Sequence, residues 1–241
     1  MAAVRATQIL AELAGQTPAA GEPGLPQRLV GACAAALPVT GVGLIVMTDS
    51  GPGSILAATD GAARVMEELQ FTLGEGPCVD ASRERRPVLQ PDLERTAPQR
   101  WPAFAAGALE AGIRAIFALP LQVGGIPVGV LDLYRDTDGT LDDAELAEAL
   151  AFADAATTVL LHLNADSGPD RMHPGLVALV ENRAEVHQAT GIVSVQTILS
   201  LAEALLLLRA HAYSAERPIL DVARDVLARI LRFAPEDDHH E

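Results

Sequence analysis

Arg114-Ala-Ile-Phe-Ala-Leu-Pro-Leu-Gln-Val123 and Ile126-Pro-Val-Gly-Val-Leu-Asp-Leu-Tyr134 are two apolar runs joined by Gly124-Gly125. A Gly-Gly pair accepts positive φ at both turn positions, as a tight two-residue hairpin requires. The spacing therefore predicts two adjacent antiparallel strands. Upstream, Val42 to Met47 is a compact apolar run that ends in Thr48-Asp49-Ser50-Gly51-Pro52-Gly53. It reads as a strand and turn, with Ser54 to Thr59 as the returning strand and Pro87 to Gln90 as a further short one.

Helical patterns surround these strands. Ala2 to Ala14 carries Val4, Ile9, Leu10 and Leu13 at helical spacing, and Gly15 to Pro26 reads as a linker. Leu25-Pro26 opens a helix from Gln27 to Leu37. Ala62, Ala63, Val65, Met66 and Leu69 fit one apolar helical face. Phe71 to Cys78 reads as an ordered loop leading to a short helix. Pro91 to Trp101 reads as a polar loop, and Ala103 to Ala111 as a helix ended by Gly112. The clearest helix is Asp142 to Leu163, opened by the capping pair Asp142 and Glu145. Leu146, Leu150, Ala153, Thr157, Leu160 and Asn164 alternate by four and three along it, a seam suited to a partner helix.

Composition bounds the function. The 241 residues suit one large or two modest domains, and 49% are apolar. No apolar run reaches the roughly 18 to 20 residues of a membrane span, so no membrane association is expected. The N-terminus lacks a signal-peptide pattern. Two cysteines, Cys33 and Cys78, make no disulfide framework, in keeping with a reduced, cytoplasmic setting. The formal charge of −15 opposes broad electrostatic binding of nucleic acid. It is unevenly spread: from Leu176 to Phe233, arginines 183, 209, 217, 224, 229 and 232 balance acids 181, 185, 203, 216, 221 and 225. No nucleophile elbow, phosphate-binding loop or metal-ligand spacing occurs, so neither a catalytic nor a metal site is expected, and no cofactor. His162, His173, His187, His211, His239 and His240 are scattered.

The C-terminal third predicts three short amphipathic helices. The first spans about Leu176 to Val195. Ser200 and Glu203 form a capping box for the second, and Pro218 is placed at the first position of the third. Ile219, Val222, Ala223, Val226, Leu227 and Ile230 then repeat at three and four.

Several segments together resemble a GAF domain over roughly Leu25 to Leu163. They are F-T-L-G-E-G-P-C at 71–78, P-D-L at 91–93, R-W-P-x-F at 100–104, A-G-I-R-A-I-F-A-L-P-L at 111–121 and V-G-V-L-D-L-Y at 128–134. The resemblance implies an antiparallel sheet with helices on one face and loops closing a small-molecule cavity on the other. Its candidate walls are the 74–80 and 91–101 loops and the start of the 116 strand, giving Cys78, Asp80, Asp92, Trp101, Arg114 and Phe117 as pocket residues. Each has a plainer alternative. Trp101 is either a lid or a loop anchor. Cys78 is either a helix-start thiol open to oxidation or a small residue closing a turn. Arg114 either meets an anionic ligand or is a surface charge.

The C-terminal order R-x-x-V-x-Q-A-x-G, S-x-x-E-A and R-x-x-L/I-x-D-V-A is similar to an ANTAR domain. That resemblance implies RNA binding to paired stem-loops and transcription antitermination by a homodimer, with Asp142 to Leu163 as dimer seam and signal conduit. The implied RNA contacts are Arg183, Gln188, Thr190, Gly191, Arg209, His211 and Arg217, which requires the arginines to share an exposed face. Thr190 and Glu216 stand where such domains usually have Lys and Asn. The alternative is accordingly a degenerate domain that does not bind RNA and acts through protein contacts. The fold expected is α+β: a GAF-like sheet with flanking helices, then a small all-α three-helix ANTAR domain. The expected limits are 1–24 for the N-terminal helix and linker, 25–165 for GAF, 166–174 for a linker, 175–233 for ANTAR and 234–241 for a disordered tail.

Overall fold

Helix α1 (Ala2–Ala14) and α2 (Leu25–Ala36) precede strands β1 (Gly41–Thr48) and β2 (Gly51–Ala58). Then come α3 (Gly61–Leu73), α4 (Pro77–Glu84), β3 (Val88–Gln90), α5 (Leu93–Arg100) and α6 (Pro102–Glu110). The predicted hairpin, β4 (Ala115–Val123) and β5 (Ile126–Arg135), leads to α7 (Asp143–Ala165). The last helices are α8 (Pro174–Thr197), α9 (Leu201–Ser214) and α10 (Ile219–Leu227). This computed structural model describes residues 2–15, 23–48, 51–165 and 174–233. The expected 166–174 linker, but for Pro174, and the expected tail from 234 lie outside them. The chain divides into two compact units between Leu176 and Val177.

The first unit is built on one antiparallel sheet in the order β2-β1-β5-β4-β3. Gly124 and Gly125 take φ values of 56° and 82°, and β4 pairs with β5 from Val123↔Ile126 to Ala115↔Arg135. Strand side chains alternate between faces. Val42, Leu44, Phe117, Leu119, Leu121, Leu131 and Leu133 form one core with α1, α2 and α7. Ile45, Met47, Ile116, Ala118, Val130 and Tyr134 form a second core with α3 to α6. Helices cover both faces, not one face with loops on the other as the resemblance implies, which accounts for the near-continuous apolar runs of the central strands.

Three sequence expectations are corrected here. The 91–101 stretch is not a loop: Asp92 accepts from the Arg95 N–H at 3.0 Å and starts α5, which tolerates Pro98 in its short span. The buried face of α3 is Ala63, Met66, Glu67, Gln70 and Phe71, while Val65 is exposed. Two polar residues therefore replace apolar ones that the 3.6-residue pattern assigned inward. Pro218 caps α10 from outside, and that helix stops at Leu227, leaving Ile230 exposed. The seam on α7 does meet a partner helix, and that helix, α1, belongs to the same chain. Ala153 and Leu160 share a core with Ala6, Ile9 and Leu13 of α1, and Leu150 and Thr157 line a groove of about 520 Å³ between α1, α7 and β4. By length and composition 143–163 would span a membrane, yet half of that stretch is buried in the fold. Asp142 and Glu145 cap α7 reciprocally as expected, at 2.8 and 2.9 Å.

The second unit comprises three helices with Val186, Ala189, Val193, Ala204, Leu208, Ala212, Ile219, Val222, Ala223 and Val226 buried. Ser200 and Glu203 form the predicted capping box at the start of α9. Ser200→Ala removes it and should cost the second unit about 1 kcal/mol in chemical denaturation. In the first unit, a Cβ at Gly129 would lie 2.6 Å from the Ile45 carbonyl oxygen and 2.8 Å from Leu160 Cδ1. A backbone oxygen has nowhere to move, so Gly129→Ala should destabilise that unit by about 2–3 kcal/mol, read as a lowered denaturation midpoint.

Candidate functional site

The segment Gly74-Glu75-Gly76-Pro77-Cys78 is the junction of the α3–α6 face, and each residue has a distinct task. Gly74, at φ 68°, ends α3 in a left-handed cap. Glu75 turns back, its Oε1 accepting from the backbone N–H groups of Ala103 and Phe104, both at 2.9 Å, and so caps α6. Gly76 holds φ 129°, a conformation open almost only to glycine, and a Cβ there would lie 2.7 Å from Gln70 Oε1. Pro77 opens α4. The Cys78 backbone N–H donates to Gln70 Oε1 at 2.8 Å.

That last bond orients a buried polar cluster that sequence reasoning missed. With Oε1 occupied as an acceptor, the Gln70 amide points Nε2 inward, 3.1 Å from Asp132 Oδ2, 3.4 Å from Glu67 Oε2 and 3.4 Å from the Tyr134 hydroxyl. Tyr134 donates to Glu67 Oε1 at 2.8 Å. Glu67, Gln70, Cys78, Asp132 and Tyr134 are all at most 1% exposed. The Glu67 carboxylate lies against Gly43 of β1, where a Cβ would overlap it. Burial pushes the Asp132 carboxyl up to about 7, against the lowering effect of hydrogen bonds from Gln70 and its neighbours. Burial, then the nearby Glu67 and Asp132 carboxylates, raises the Tyr134 hydroxyl well above its ordinary range. Tyr134 also walls a cavity of about 190 Å³ shared with Thr40, Gly41, Asp60, Ala63 and Ile113. The available signals were a carboxylate inside the apolar run V-G-V-L-D-L-Y, and Glu67 and Gln70 one turn apart.

The predicted pocket residues divide. Trp101 is 2% exposed, donates from Nε1 to Asp80 Oδ2 at 3.0 Å and meets Phe104 edge to face, so it is an anchor rather than a lid. Asp80 also accepts from Arg100 Nε at 2.7 Å. Cys78 is wholly buried at the α4 start, the position of a small residue closing a turn. Asp92 serves as the α5 cap; the backbone N–H of Arg95 holds its carboxyl below the usual range. Arg114 donates to the carbonyls of Leu109 and Ile113 at 3.1 and 3.2 Å, closing the end of α6. Phe117 faces the opposite core, under the Arg135 guanidinium at 5.6 Å, because strand alternation turns it away from Ile116 and Ala118. Cys33 lies in that opposite core too, its thiol raised mainly by burial.

In the helical unit, α8 exposes His187 and Gln188, with Gly191 partly open. Space stands open around Gly191. Thr190 is buried and its hydroxyl donates to the Val186 carbonyl at 2.7 Å, so it presents nothing outward. Arg209 is half-buried, and burial lowers its pKa. His211 meets Phe233 edge to face at 5.4 Å. Arg217 is exposed and paired with Asp225 at 2.8 Å. Arg224 is paired with Glu185 at 2.9 Å. The side chain of Arg183 lies outside the described residues. The required row of outward arginines is therefore reduced, among the described side chains of the expected set, to Arg217.

Comparison with known proteins bears on the first unit. The GAF domain family matches residues 25–160. The GAF domain of an Acinetobacter phosphoenolpyruvate-protein phosphotransferase is similar in structure, with 12% identity over 69% of this chain and 96% of that one, and a TM-score of 0.51. The corresponding GAF domain from Coxiella burnetii has 18% identity over 68% of this chain and 95% of its own, at a TM-score of 0.48. A GAF domain/HD domain protein from Geobacter sulfurreducens has 15% identity, coverages of 58% and 92%, and a TM-score of 0.47. No match was found among curated proteins. The match covers more than half of the chain, and the chain belongs to the GAF domain family.

Proposed function

We propose that this chain is a cytoplasmic, non-enzymatic regulator in which the GAF unit receives a signal and the three-helix unit binds structured RNA to control transcription antitermination. The observation carrying the output reading is the helix set itself. The long helix α8 and the shorter α9 and α10, with the Ser200/Glu203 box at the start of α9, support this reading. Gln188 and Gly191 on α8 offer a polar, low-relief strip suited to close approach of a base or backbone. Arg217 supplies the phosphate contact. Its pairing with Asp225 is no barrier, because both partners are partly solvated and exposed pairs contribute only about 0–1 kcal/mol. Arg209 has a packing role in this reading, since a desolvated guanidinium is withdrawn from phosphate. A homodimer is proposed because paired stem-loops present two sites.

A protein partner is the second reading, favoured by one observation. Val195, Ile198 and Leu201 are 82%, 87% and 63% exposed at the α8–α9 turn. Ile198 holds φ 60° there, a left-handed conformation costly for a β-branched residue.

Crosslinking and sequencing of RNA bound to the native chain separates the two. RNA recovered this way should bind Arg217→Ala about 3–10-fold more weakly, with a salt slope reduced by about one. Asp225→Asn should tighten binding by releasing Arg217. No enrichment over Arg217→Ala defeats RNA binding. In that case loss of a purified partner's binding on Ile198→Ser supports the protein reading.

A further inference from the structure

The polar cluster beneath α3 sets two buried carboxylates, Glu67 and Asp132, beside donors from Gln70, Cys78 and Tyr134. Its acceptors are the four oxygens of Glu67 and Asp132. The Tyr134 hydroxyl is spent on Glu67 Oε1, and Gln70 Nε2 points at Asp132 Oδ2, Glu67 Oε2 and the tyrosine oxygen. Asp132 Oδ1 is buried and has no donor. Gln70 Nε2 reaches both carboxylates, 3.1 Å from Asp132 Oδ2 and 3.4 Å from Glu67 Oε2. Two ionised carboxylates so placed repel one another. One proton between them removes the surplus charge.

We propose that the GAF interior is a proton-binding site, in which Glu67 and Asp132 share one proton in the closed state and its loss loosens α3 from the sheet. The proton passes to and from bulk water, and no other bond changes. Charge appears between α3, which carries Glu67, and β5, which carries Asp132, so repulsion acts across that contact. The facing groups are few. Gln70 comes from α3, Cys78 from α4 and Tyr134 from β5; β1 presents Gly43, and β4 presents the apolar Ile116 and Ala118. None of the groups that act on Asp132 is a cation. This inference rests on the GAF unit being the input and names hydrogen ion as its signal.

The sign follows from linkage. Burial raises the Asp132 carboxyl from 3.8 to about 7, so the folded state holds the proton more tightly than the unfolded chain does. The resulting stability is full below about pH 4 and is lost as pH rises through about 7. Asp92, whose carboxyl is lowered, acts in the opposite sense and is common to all variants compared.

The test uses the full chain, melted at a series of pH values from about 5 to 8 and followed by fluorescence of Trp101, the sole tryptophan and part of the same core. The wild type should lose about 5 °C or more across the range, and Asp132→Asn should lose markedly less. Glu67→Gln serves if Asp132→Asn fails to fold. On the wild type alone, difference infrared spectra should show a protonated carboxyl band that disappears as pH rises through about 7. A wild-type melt independent of pH, an unchanged slope in both variants, or no such band overturns the proposal. If the band titrates while RNA binding is the same at both ends of the range, the proton site stands and the sensory reading falls.

Discussion

Everything in the first unit depends on one constraint: a pleated sheet covered on both faces must send alternate side chains into two separate cores. Leu119 and Leu131 serve one, and Ile116 and Val130 the other. A single step along β4 therefore decides whether a residue meets α7 or the α3–α6 layer. It turns Phe117 towards α7 and directs Asp132 and Tyr134 into the opposite interior. The close contact of β5 with β1 and α7 at Gly129 belongs to the same constraint, since no side chain can be accommodated there.

The motifs that suggested a ligand cavity are largely the means by which this layer is held together. Gly74, Glu75, Gly76 and Pro77 end one helix, cap a second and start a third, while Trp101 ties Asp80 to Phe104. The chemistry is displaced inward, to side chains those motifs position. Gln70 is the pivot, because a backbone N–H from Cys78 fixes which end of its amide meets the carboxylates. A site assembled in this way is defined by protons and hydrogen bonds more than by shape.

The helical unit uses different physics. Its helices are held by mutual burial and a reciprocal cap, and Arg217 and Arg224 pair with acids of the same unit. A unit with balanced charge favours recognition by geometry over broad electrostatic attraction. The withdrawal of Arg209 and Thr190 concentrates the remaining polar opportunity on α8 and Arg217.

Period and punctuation carried much of the architecture in the sequence. The two-residue hairpin, the capping boxes of α7 and α9, and the alternation of helices and strands depend on neighbours within a few positions, so they are legible locally. The 91–101 segment was misread because Pro98 signals a break, whereas Asp92 and tertiary packing of Leu93 and Ala97 make a helix. The polar cluster joins Gly43, Glu67, Gln70, Cys78, Asp132 and Tyr134, residues far apart along the chain. Only the tertiary structure decided that two acids would share a buried space, because burial and proximity of distant residues are properties of the packed sheet and helices. For the same reason the sequence determined which arginines exist, and the fold decided which of them solvent can reach.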